Sequence, residues 1–193
     1  MTSIHSLAVF CGSRLGTNPV YAEAGRVLGR GLAEAGIRLV YGGGRIGIMG
    51  VVADAVLEAG GTVLGVIPGF LVSREVGHSG LTNLAVTESM HMRKVKMYEE
   101  ADAFLIMPGG LGTLDETFEI LTWRQLGLHD KPILLCDVAG WATGLLQVMS
   151  QAVEQGFADA ASPGLVAVFP DVAKVIEHLK NLDRGSGSTG GVL

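Results

Sequence analysis

Three carboxylates follow a glycine-rich turn in the segment MPGGLGTLDETFE, which spans residues 107–119. The turn comes after AFLIM, an apolar run typical of a buried strand, so a helix would begin here beside the end of a sheet. Glu116 stands three residues after Thr113, the spacing of a capping box that satisfies free backbone N–H groups. A carboxylate in the first helical turn also faces a ligand crevice, where it could stabilise positive charge developing on a sugar. Both interpretations of Glu116 stay open, with Asp115 and Glu119 as secondary candidates.

Two adjacent cations, Arg93 and Lys94, form a second group that could bind a ligand. A helix that begins near Ser89 or Met90 would place both in its first turn, where cations oppose the helix macrodipole. An anionic ligand would reverse that cost, since arginine can bind a phosphate through two parallel hydrogen bonds. Helix position alone equally allows both side chains to point into solvent.

A third candidate is the loop YGGGRIGIMG at 41–50, which joins a strand to a helix. Its glycines let backbone N–H groups approach a ligand, so we expect phosphate binding rather than a plain glycine-rich turn. Gly42, Gly44 and Gly47 match the G-x-G-x-x-G pattern, but the next strand ends VIPGF, without the carboxylate that binds ribose hydroxyls in dinucleotide sites. A P-loop is also excluded, because Ile-Met stands where Lys and Ser or Thr are required.

Seven apolar runs of strand length must position these loops. They read SLAVFCG, IRLVYGG, TVLGVIP, LAVTES, AFLIMPG, PILLCDV and LVAVFP. Runs that are apolar throughout are typical of a parallel sheet covered by helices on both faces. The sequence therefore predicts one doubly wound α/β domain of about seven strands over residues 1–182, followed by a flexible Gly/Ser-rich tail over 183–193. Ligands bind such sheets beyond the carboxyl ends of the strands.

The helices between these strands have recognisable ends. Asn18 can cap the first helix and Gly36 can end it. The spacing of apolar residues predicts the later helices at about 46–59, 113–126, 141–155 and 172–182. Within the helix after residue 113, we expect Leu114, Phe118 and Leu121 to pack against the sheet.

Composition excludes several classes of function. With 193 residues, 48% hydrophobic and 17% charged, the chain suits one compact domain. A net charge of −5 argues against nucleic-acid binding, and the sequence shows neither a secretory signal nor a run near the roughly 20 apolar residues of a membrane span, so we expect a cytoplasmic protein. Cys11 and Cys136 lie in apolar runs and predict buried thiols, not a disulfide. The five histidines lack the spacing of zinc ligands, so no metal is expected.

Several motifs share their order and spacing with one known family. They are FCGS at 10–13, LVYGGG at 39–44, GVIP at 65–68, MHMRK at 90–94, PGGLGTLDE at 108–116, and the TW and QLGLHDKP stretches that end at 132. Together they resemble the Lonely Guy family of cytokinin riboside 5′-monophosphate phosphoribohydrolases. The likeness runs from about Ser6 to Leu182, and its most specific element is the P-G-G-x-G-T-x-x-E motif.

This resemblance implies a Rossmann-like fold, a homodimer, and hydrolysis of a nucleoside 5′-monophosphate, AMP or an N6-substituted AMP, to free base and ribose 5-phosphate. It implies no cofactor. Arg93 and Glu116 match the family's catalytic pair. The substrate- and phosphate-binding positions that it implies are Ser13, Gly42, Gly43, Gly44, Met92, Lys94, Gly109, Gly110, Gly112 and Thr113.

One departure and two alternatives accompany the resemblance. Relatives often have Glu where this chain has Met92, so any part that glutamate plays in recognising base or ribose is lost, and base preference stays open. Many relatives were long labelled lysine decarboxylases, but that chemistry would need pyridoxal phosphate on a Schiff-base lysine, for which the sequence shows no context. A non-catalytic nucleotide or cofactor carrier on the same fold is the first alternative. An NAD(P)-dependent oxidoreductase, which the glycine pattern at 42–47 suggests, is the second.

Overall fold

Seven parallel strands form a single sheet in the computed structural model, which describes residues 4–72 and 77–184. The strands are β1 Ser6–Phe10, β2 Arg38–Tyr41, β3 Val63–Pro68, β4 Asn83–Thr87, β5 Ala103–Ile106, β6 Ile133–Cys136 and β7 Ala167–Phe169. They lie in the order β4-β3-β2-β1-β5-β6-β7, and every neighbouring pair is parallel. Each strand overlaps one of the seven predicted runs, so the predicted sheet is confirmed.

Within the described residues, six α-helices cover this sheet on both faces. They are α1 Val20–Glu34, α2 Gly47–Glu58, α3 Met90–Glu99, α4 Leu111–Gln125, α5 Thr143–Glu154 and α6 Val172–Arg184. Buried residues of α1, α2 and α6 pack on one face, and those of α3, α4 and α5 pack on the other. The last helix continues two residues beyond its predicted end at 182. Residues 185–193 of the predicted tail lie outside the described residues, and the tail stays a prediction.

Local signals in the sequence account for the ends of several helices. The Asn18 Oδ1 atom accepts a hydrogen bond from the Val20 N–H at 3.1 Å, and Gly36 follows α1 with a φ of +69°. A side chain other than glycine is strained in that left-handed conformation, which therefore terminates the helix. Ser89 caps α3, because its Oγ accepts a hydrogen bond from the Met92 N–H at 3.2 Å.

The central strands are buried on both faces, which explains why their sequences are apolar without alternation. Every residue of β1, β3, β5 and β6 is buried, whereas the edge strands β4 and β7 are partly exposed. In α4 the buried face includes Thr117, Ile120 and Leu121. The prediction that Phe118 packs against the sheet is wrong, since it lies about 100° around the helix from Thr117 and is 41% exposed.

The chain order reverses between β1 and β5. From β1 the chain builds outward through β2, β3 and β4, then returns to the other side of β1 for β5, β6 and β7. Such a switch point opens a crevice at the carboxyl ends of the two strands. The loops after them meet there, where the Gly12 N–H donates to the Pro108 carbonyl at 3.0 Å. Within residues 4–72 and 77–184, no helix has both the length and the apolar character needed to cross a membrane.

Candidate active site

A cavity of about 380 Å³ opens at the switch point between β1 and β5. This volume lies near the lower end of the range for small-molecule sites, about 300 to 1,000 Å³. The cavity brings together seven of the twelve site residues expected from the sequence, namely Ser13, Gly42, Arg93, Gly110, Gly112, Thr113 and Glu116. The loops after β1, β2 and β5, together with α3 and α4, therefore converge on one site.

Arg93 and Glu116 form a buried ion pair in the wall of this cavity. The Arg93 Nη1 atom lies 3.1 Å from Glu116 Oε1, and the two side chains are only 8% and 9% exposed. The Arg93 Nε–H also donates to the Val66 carbonyl of β3 at 3.1 Å. The alternative in which Arg93 points into solvent is thus wrong. Because burying two charges gives little net stability, a buried pair that lines a cavity favours a role in ligand chemistry.

Glu116 does not take part in a capping box. Helix α4 begins at Leu111 with Gly110 as its N-cap, and no side chain forms a hydrogen bond at that cap. Thr113 is already inside the helix, and its carbonyl accepts a hydrogen bond from the Thr117 Oγ1 at 2.7 Å. The capping-box prediction is wrong because the extended backbone of Gly110 begins the helix two residues earlier, which leaves the Glu116 carboxylate to pair with Arg93.

The N-terminus of α4 forms the second wall of the cavity. The N–H groups of Leu111, Gly112 and Thr113 have no carbonyl partner within the helix, since its first hydrogen bond runs from the Leu114 N–H to the Gly110 carbonyl at 3.1 Å. A Cβ atom added at Gly110 or Gly112 would meet no atom within 4 Å. These open N–H groups and the helix dipole make the turn suitable for an anion such as phosphate.

Gly109 lies beside this turn but does not line the cavity. A Cβ atom at Gly109 would overlap the side chain of Thr113 and lie 2.9 Å from the Gly12 nitrogen. Its lack of a side chain therefore allows the loops after β1 and β5 to approach each other. The geometry gives Gly109 a packing role, and its predicted contact with phosphate stays a prediction.

The Gly42–Gly44 loop contributes one residue to the cavity. Gly42 lines it, and a Cβ atom there would overlap the guanidinium of Arg93. Gly43 has a φ of +77° and packs against β3, while Gly44 pairs with Gly77 in an isolated antiparallel bridge. Neither lines the cavity, so their contact with substrate stays a prediction. Gly47, the third glycine of the G-x-G-x-x-G pattern, packs closely against the backbone of Ser13.

Lys94 and Met92 flank Arg93 in sequence but lie outside the cavity lining. The Lys94 Nζ atom is 3.1 Å from Asp115 Oδ2 and 3.2 Å from Glu119 Oε1. Burial lowers the pKa of Lys94, but the hydrogen bonds that its ammonium donates to these two carboxylates outweigh burial and raise the pKa above its usual value. The positive charge of Lys94 is therefore balanced by two carboxylates. The Met92 side chain is exposed. Their assignment to substrate binding stays a prediction.

The cavity also contains residues that the sequence did not single out: Val9, Cys11, Arg14, Met49 and Leu111. Arg14 could have been found as a cation in the loop after a predicted strand at the carboxyl edge. Burial raises the pKa of the Cys11 thiol, and the nearby Glu116 carboxylate raises it further against the opposing effect of Arg93. Cys11 is thus a neutral thiol at the base of the site.

The described residues suit neither a bound metal ion nor pyridoxal phosphate. Across 4–72 and 77–184, no group of three or more His, Cys, Asp and Glu side chains is placed to hold a metal ion. Pyridoxal phosphate needs a lysine for its Schiff base, but none of the described residues lining the cavity is a lysine. The neighbouring Lys94 is held by two carboxylates. The residues of the site therefore do not suit pyridoxal phosphate.

We predict that Gly112→Ala stabilises the protein but weakens ligand binding. Alanine in a helix stabilises the fold by about 0.5 to 1 kcal/mol relative to glycine, and the structure leaves room for the methyl group. The same methyl group would occupy the mouth of the anion-binding turn, so we expect weaker binding of AMP. Urea unfolding and calorimetric titration with AMP measure the two effects. Unchanged AMP affinity would contradict the assignment of this turn to phosphate.

Comparison with known proteins identifies a family and several relatives that this chain resembles. The family model described as "Possible lysine decarboxylase" matches residues 49–179. The chain is 43% identical to a cytokinin riboside 5′-monophosphate phosphoribohydrolase of Rhodococcoides fascians, over 91% of this chain and 89% of the relative. It is 41% identical to an enzyme of the same description from Arabidopsis thaliana, over 92% of this chain and 82% of that one.

Solved structures share the fold at lower identity. The molybdenum cofactor carrier protein of Chlamydomonas reinhardtii is 24% identical with a TM-score of 0.70, over 93% of this chain and 98% of that one. A molybdenum cofactor binding protein from Rippkaea orientalis is 22% identical with a TM-score of 0.69, over 94% and 98% of the two chains. Similarity at this level establishes the fold but not a shared ligand.

The family assignment rests on the closer relatives. Their identity of about 40% extends over nine tenths of the chain, and the matched region of the family model includes both Arg93 and Glu116. The chain therefore belongs to the possible lysine decarboxylase family and, within it, to the Lonely Guy group of cytokinin riboside 5′-monophosphate phosphoribohydrolases that its motifs resemble.

Proposed function

We propose that this protein hydrolyses the N-glycosidic bond of adenosine 5′-monophosphates, including those with an N6 substituent, to the free base and ribose 5-phosphate. With an N6-substituted substrate, the free base released is an active cytokinin. The observation that carries the proposal is the buried Arg93–Glu116 ion pair, which lines the same cavity as the open N-terminus of α4. Relatives at about 40% identity that carry this activity in their names support it.

The N-terminus of α4 would hold the 5′-phosphate. Free N–H groups at Leu111, Gly112 and Thr113 point from the helix end, and such a helix N-terminus is suited to bind an anion such as phosphate. Arg14, which lines the same cavity, would supply a full positive charge. Held at this end, the nucleotide places its ribose toward the opposite wall, where Arg93 and Glu116 lie. The phosphate thus serves as the anchor that orients the sugar.

Glu116 would act on the sugar carbon C1′. As the bond from C1′ to the base nitrogen breaks, its electron pair leaves with the base and C1′ gains positive charge, which the carboxylate stabilises. A water molecule positioned by Glu116 then forms the new C–O bond at C1′ and loses its proton to the Glu116 carboxylate. Arg93 holds the carboxylate in place through the 3.1 Å contact.

Solvent would supply the proton that the departing base takes up. Asp115 does not suit this role, because its carboxylate is largely exposed, pairs with Lys94, and is not among the described residues that line the cavity. Cys11 lies in the cavity, yet its raised pKa makes the thiol a poor acid. Neither side chain fits the role of general acid.

A carrier function is the competing proposal on this fold. A carrier of a phosphorylated ligand would need the N-terminus of α4 but not a carboxylate at Glu116. Decarboxylation is not supported, because none of the described residues that line the cavity is a lysine that could bind pyridoxal phosphate.

Substrate turnover distinguishes hydrolase from carrier. The protein is incubated separately with AMP, GMP, CMP, UMP and N6-isopentenyladenosine monophosphate, and each reaction is analysed for free base and ribose 5-phosphate. We expect equal amounts of the two products from at least one adenosine monophosphate. Saturable AMP binding without any release of base would favour the carrier. Saturable NAD binding that AMP does not displace would favour an oxidoreductase. Comparing kcat/KM for AMP and its isopentenyl derivative answers the question of base preference that Met92 leaves open.

We further propose that the protein works as a homodimer that buries an exposed face of α4. Leu111, Phe118 and Leu126 lie within about 80° of one another around the helical axis, and they are 86%, 41% and 68% exposed. Apolar groups of this size along one helix face are typical of an interaction surface. Since Leu111 and Phe118 belong to the helix that carries Glu116, the dimer contact would lie beside the site.

A charge on this face should dissociate the dimer. We expect the double variant Phe118→Glu, Leu126→Glu to elute as a monomer in size exclusion with light scattering, whereas the wild type elutes as a dimer. Phe157→Glu is the control, because Phe157 is also an exposed apolar residue but follows α5, away from this face. If the double variant stays dimeric, the contact lies elsewhere.

We place the protein in the cytoplasm. Cys11 and Cys136 are free, buried thiols, which suits a reducing compartment.

A further inference from the structure

His78 is a buried residue outside the catalytic cavity whose two ring nitrogens are both engaged. The ring is 6% exposed; its Nε2 atom lies 2.8 Å from Asp54 Oδ1, and its Nδ1 atom accepts a hydrogen bond from the Gly80 N–H at 3.2 Å. Because Nδ1 accepts, the proton is assigned to Nε2, which donates to the Asp54 carboxylate. With both nitrogens occupied, the ring has no free position for acid or base catalysis.

The backbone of the same residue holds the Gly42–Gly44 loop. The His78 N–H donates to the Gly43 carbonyl at 3.2 Å, and the preceding Gly77 pairs with Gly44 in the isolated antiparallel bridge. Asp54 belongs to α2, the helix that follows this loop. His78 therefore connects two elements: its backbone contacts the Gly42–Gly44 loop, and its ring contacts α2.

The opposite side of the loop supports the catalytic arginine. Gly42 lies so close to the Arg93 guanidinium that a Cβ atom at this position would overlap it. Gly43 packs on β3, where a Cβ atom would lie 3.0 Å from the Ile67 Cβ atom. Since Val66 of β3 accepts the Arg93 Nε–H hydrogen bond, the loop and β3 both contact the guanidinium at the place from which it pairs with Glu116.

We propose that His78, fixed by Asp54, is a positioning residue: it holds the Gly42–Gly44 loop and thereby sets the place of the Arg93 guanidinium against Glu116. This inference rests on the proposed hydrolase function, because its kinetic effect requires Arg93 and Glu116 to act on the substrate. Loss of the Asp54–His78 hydrogen bond releases residue 78 and, with it, the Gly43 carbonyl. The Arg93 guanidinium then becomes more mobile, while the phosphate-binding turn of α4 stays in place.

Variants of Asp54 and His78 test this arrangement. Asp54 is half exposed, so Asp54→Leu removes the carboxylate without opening the core, and His78→Phe keeps a ring but removes both nitrogens. We expect kcat for AMP to fall about tenfold in each, with little change in KM, because small displacements of catalytic groups slow chemistry more than binding. Asp54→Asn and His78→Gln each keep a hydrogen-bonding group and should recover most of the activity.

Two further variants separate positioning from general stability. Glu58→Leu makes a matching change at an exposed residue one turn along α2 and should keep the wild-type kcat. The double variant Asp54→Leu, His78→Phe should be no slower than the slower single variant, since both residues act through one connection. Additive losses, or a KM increase at constant kcat, would overturn the proposal.

A spectroscopic measurement tests the position of Arg93 without turnover. The Arg93 Nε–H resonance, assigned by its absence in Arg93→Lys, should shift in ¹⁵N-labelled Asp54→Leu and His78→Phe but not in Glu58→Leu. An unchanged resonance, whatever the activity, overturns the positioning role. A wild-type protein that hydrolyses no nucleotide defeats the proposed function instead, and a shifted resonance would then still support the role of His78 in placing Arg93.

Discussion

Glu116→Gln is expected to lower kcat for AMP by about 10²- to 10⁴-fold, the range over which a positioned acid–base group accelerates a reaction. The amide is nearly the same size as the carboxylate and can still accept a hydrogen bond from Arg93. It carries no negative charge, so it can neither stabilise the cationic sugar nor take up a proton from water. Steady-state assays of adenine release with purified variants measure the effect.

The same substitution should also reduce stability. The Arg93 guanidinium stays buried beside the new amide, and leaving its charge without a counter-charge costs about 1 to 3 kcal/mol, or more. Urea unfolding measures this cost, and the kinetics are run well below the midpoint so that only folded protein is compared. Activity and stability thus fall together, in contrast to the simple loss of a helix cap.

Glu119→Gln is the matched control for this prediction. Glu119 lies on the same helix, three residues after Glu116, but pairs with Lys94 and does not line the cavity. We expect its kcat to stay within about twofold of the wild type, as for most surface substitutions. Equal activity of Glu116→Gln and Glu119→Gln would remove Glu116 from the mechanism.

The fold was predictable because its determinants lie in short stretches of sequence. Each central strand is buried on both faces and is therefore apolar at every position, as in β1 and β5. Helix starts such as Ser89 and ends such as Gly36 are set by residues within one turn. The location of the cavity follows from the reversal of strand order, which the count and type of elements already suggested.

The partners of the charged residues were not predictable in the same way. Arg93 and Lys94 are neighbours in sequence, yet Arg93 contacts β3 and Glu116 while Lys94 contacts Asp115 and Glu119. Successive helical residues point about 100° apart, and only the packing of α3 against α4 and the sheet decides which one faces the cavity. The family resemblance, unlike spacing alone, predicted that Arg93 and Glu116 belong together, and the structure places their side chains 3.1 Å apart.

The T-x-x-E pattern in α4 shows how a local motif can mislead. Thr113 and Glu116 have the spacing of a capping box, but a glycine three residues before the expected start at residue 113 can also serve as an N-cap. Gly110 takes this role in an extended conformation. The choice depends on the β5–α4 turn as a whole, where Gly109 contacts both Thr113 and the loop after β1. That contact joins residues about 100 positions apart.

Gly42→Ala should reduce kcat by about 100-fold although it removes no functional group, because a misplacement of about 1 Å in an active site can cost this much. A Cβ atom at Gly42 would overlap the Arg93 guanidinium, which must then move away from Glu116. Gly42 lies at the end of β2 and has no positive φ, so backbone strain does not contribute.

Matched glycine variants show whether Gly42→Ala acts through Arg93. Gly144→Ala adds the same methyl group where no atom lies within 4 Å and should leave kcat unchanged. Overpacking at Gly42 should also cost about 1 to 3 kcal/mol of stability, which urea unfolding reports. In an Arg93→Ala background the guanidinium is gone, so Gly42→Ala should lower stability far less and remove no further activity. Wild-type kcat in Gly42→Ala would show that the site tolerates displacement of Arg93, and the ion pair would then lose its assigned part in the reaction.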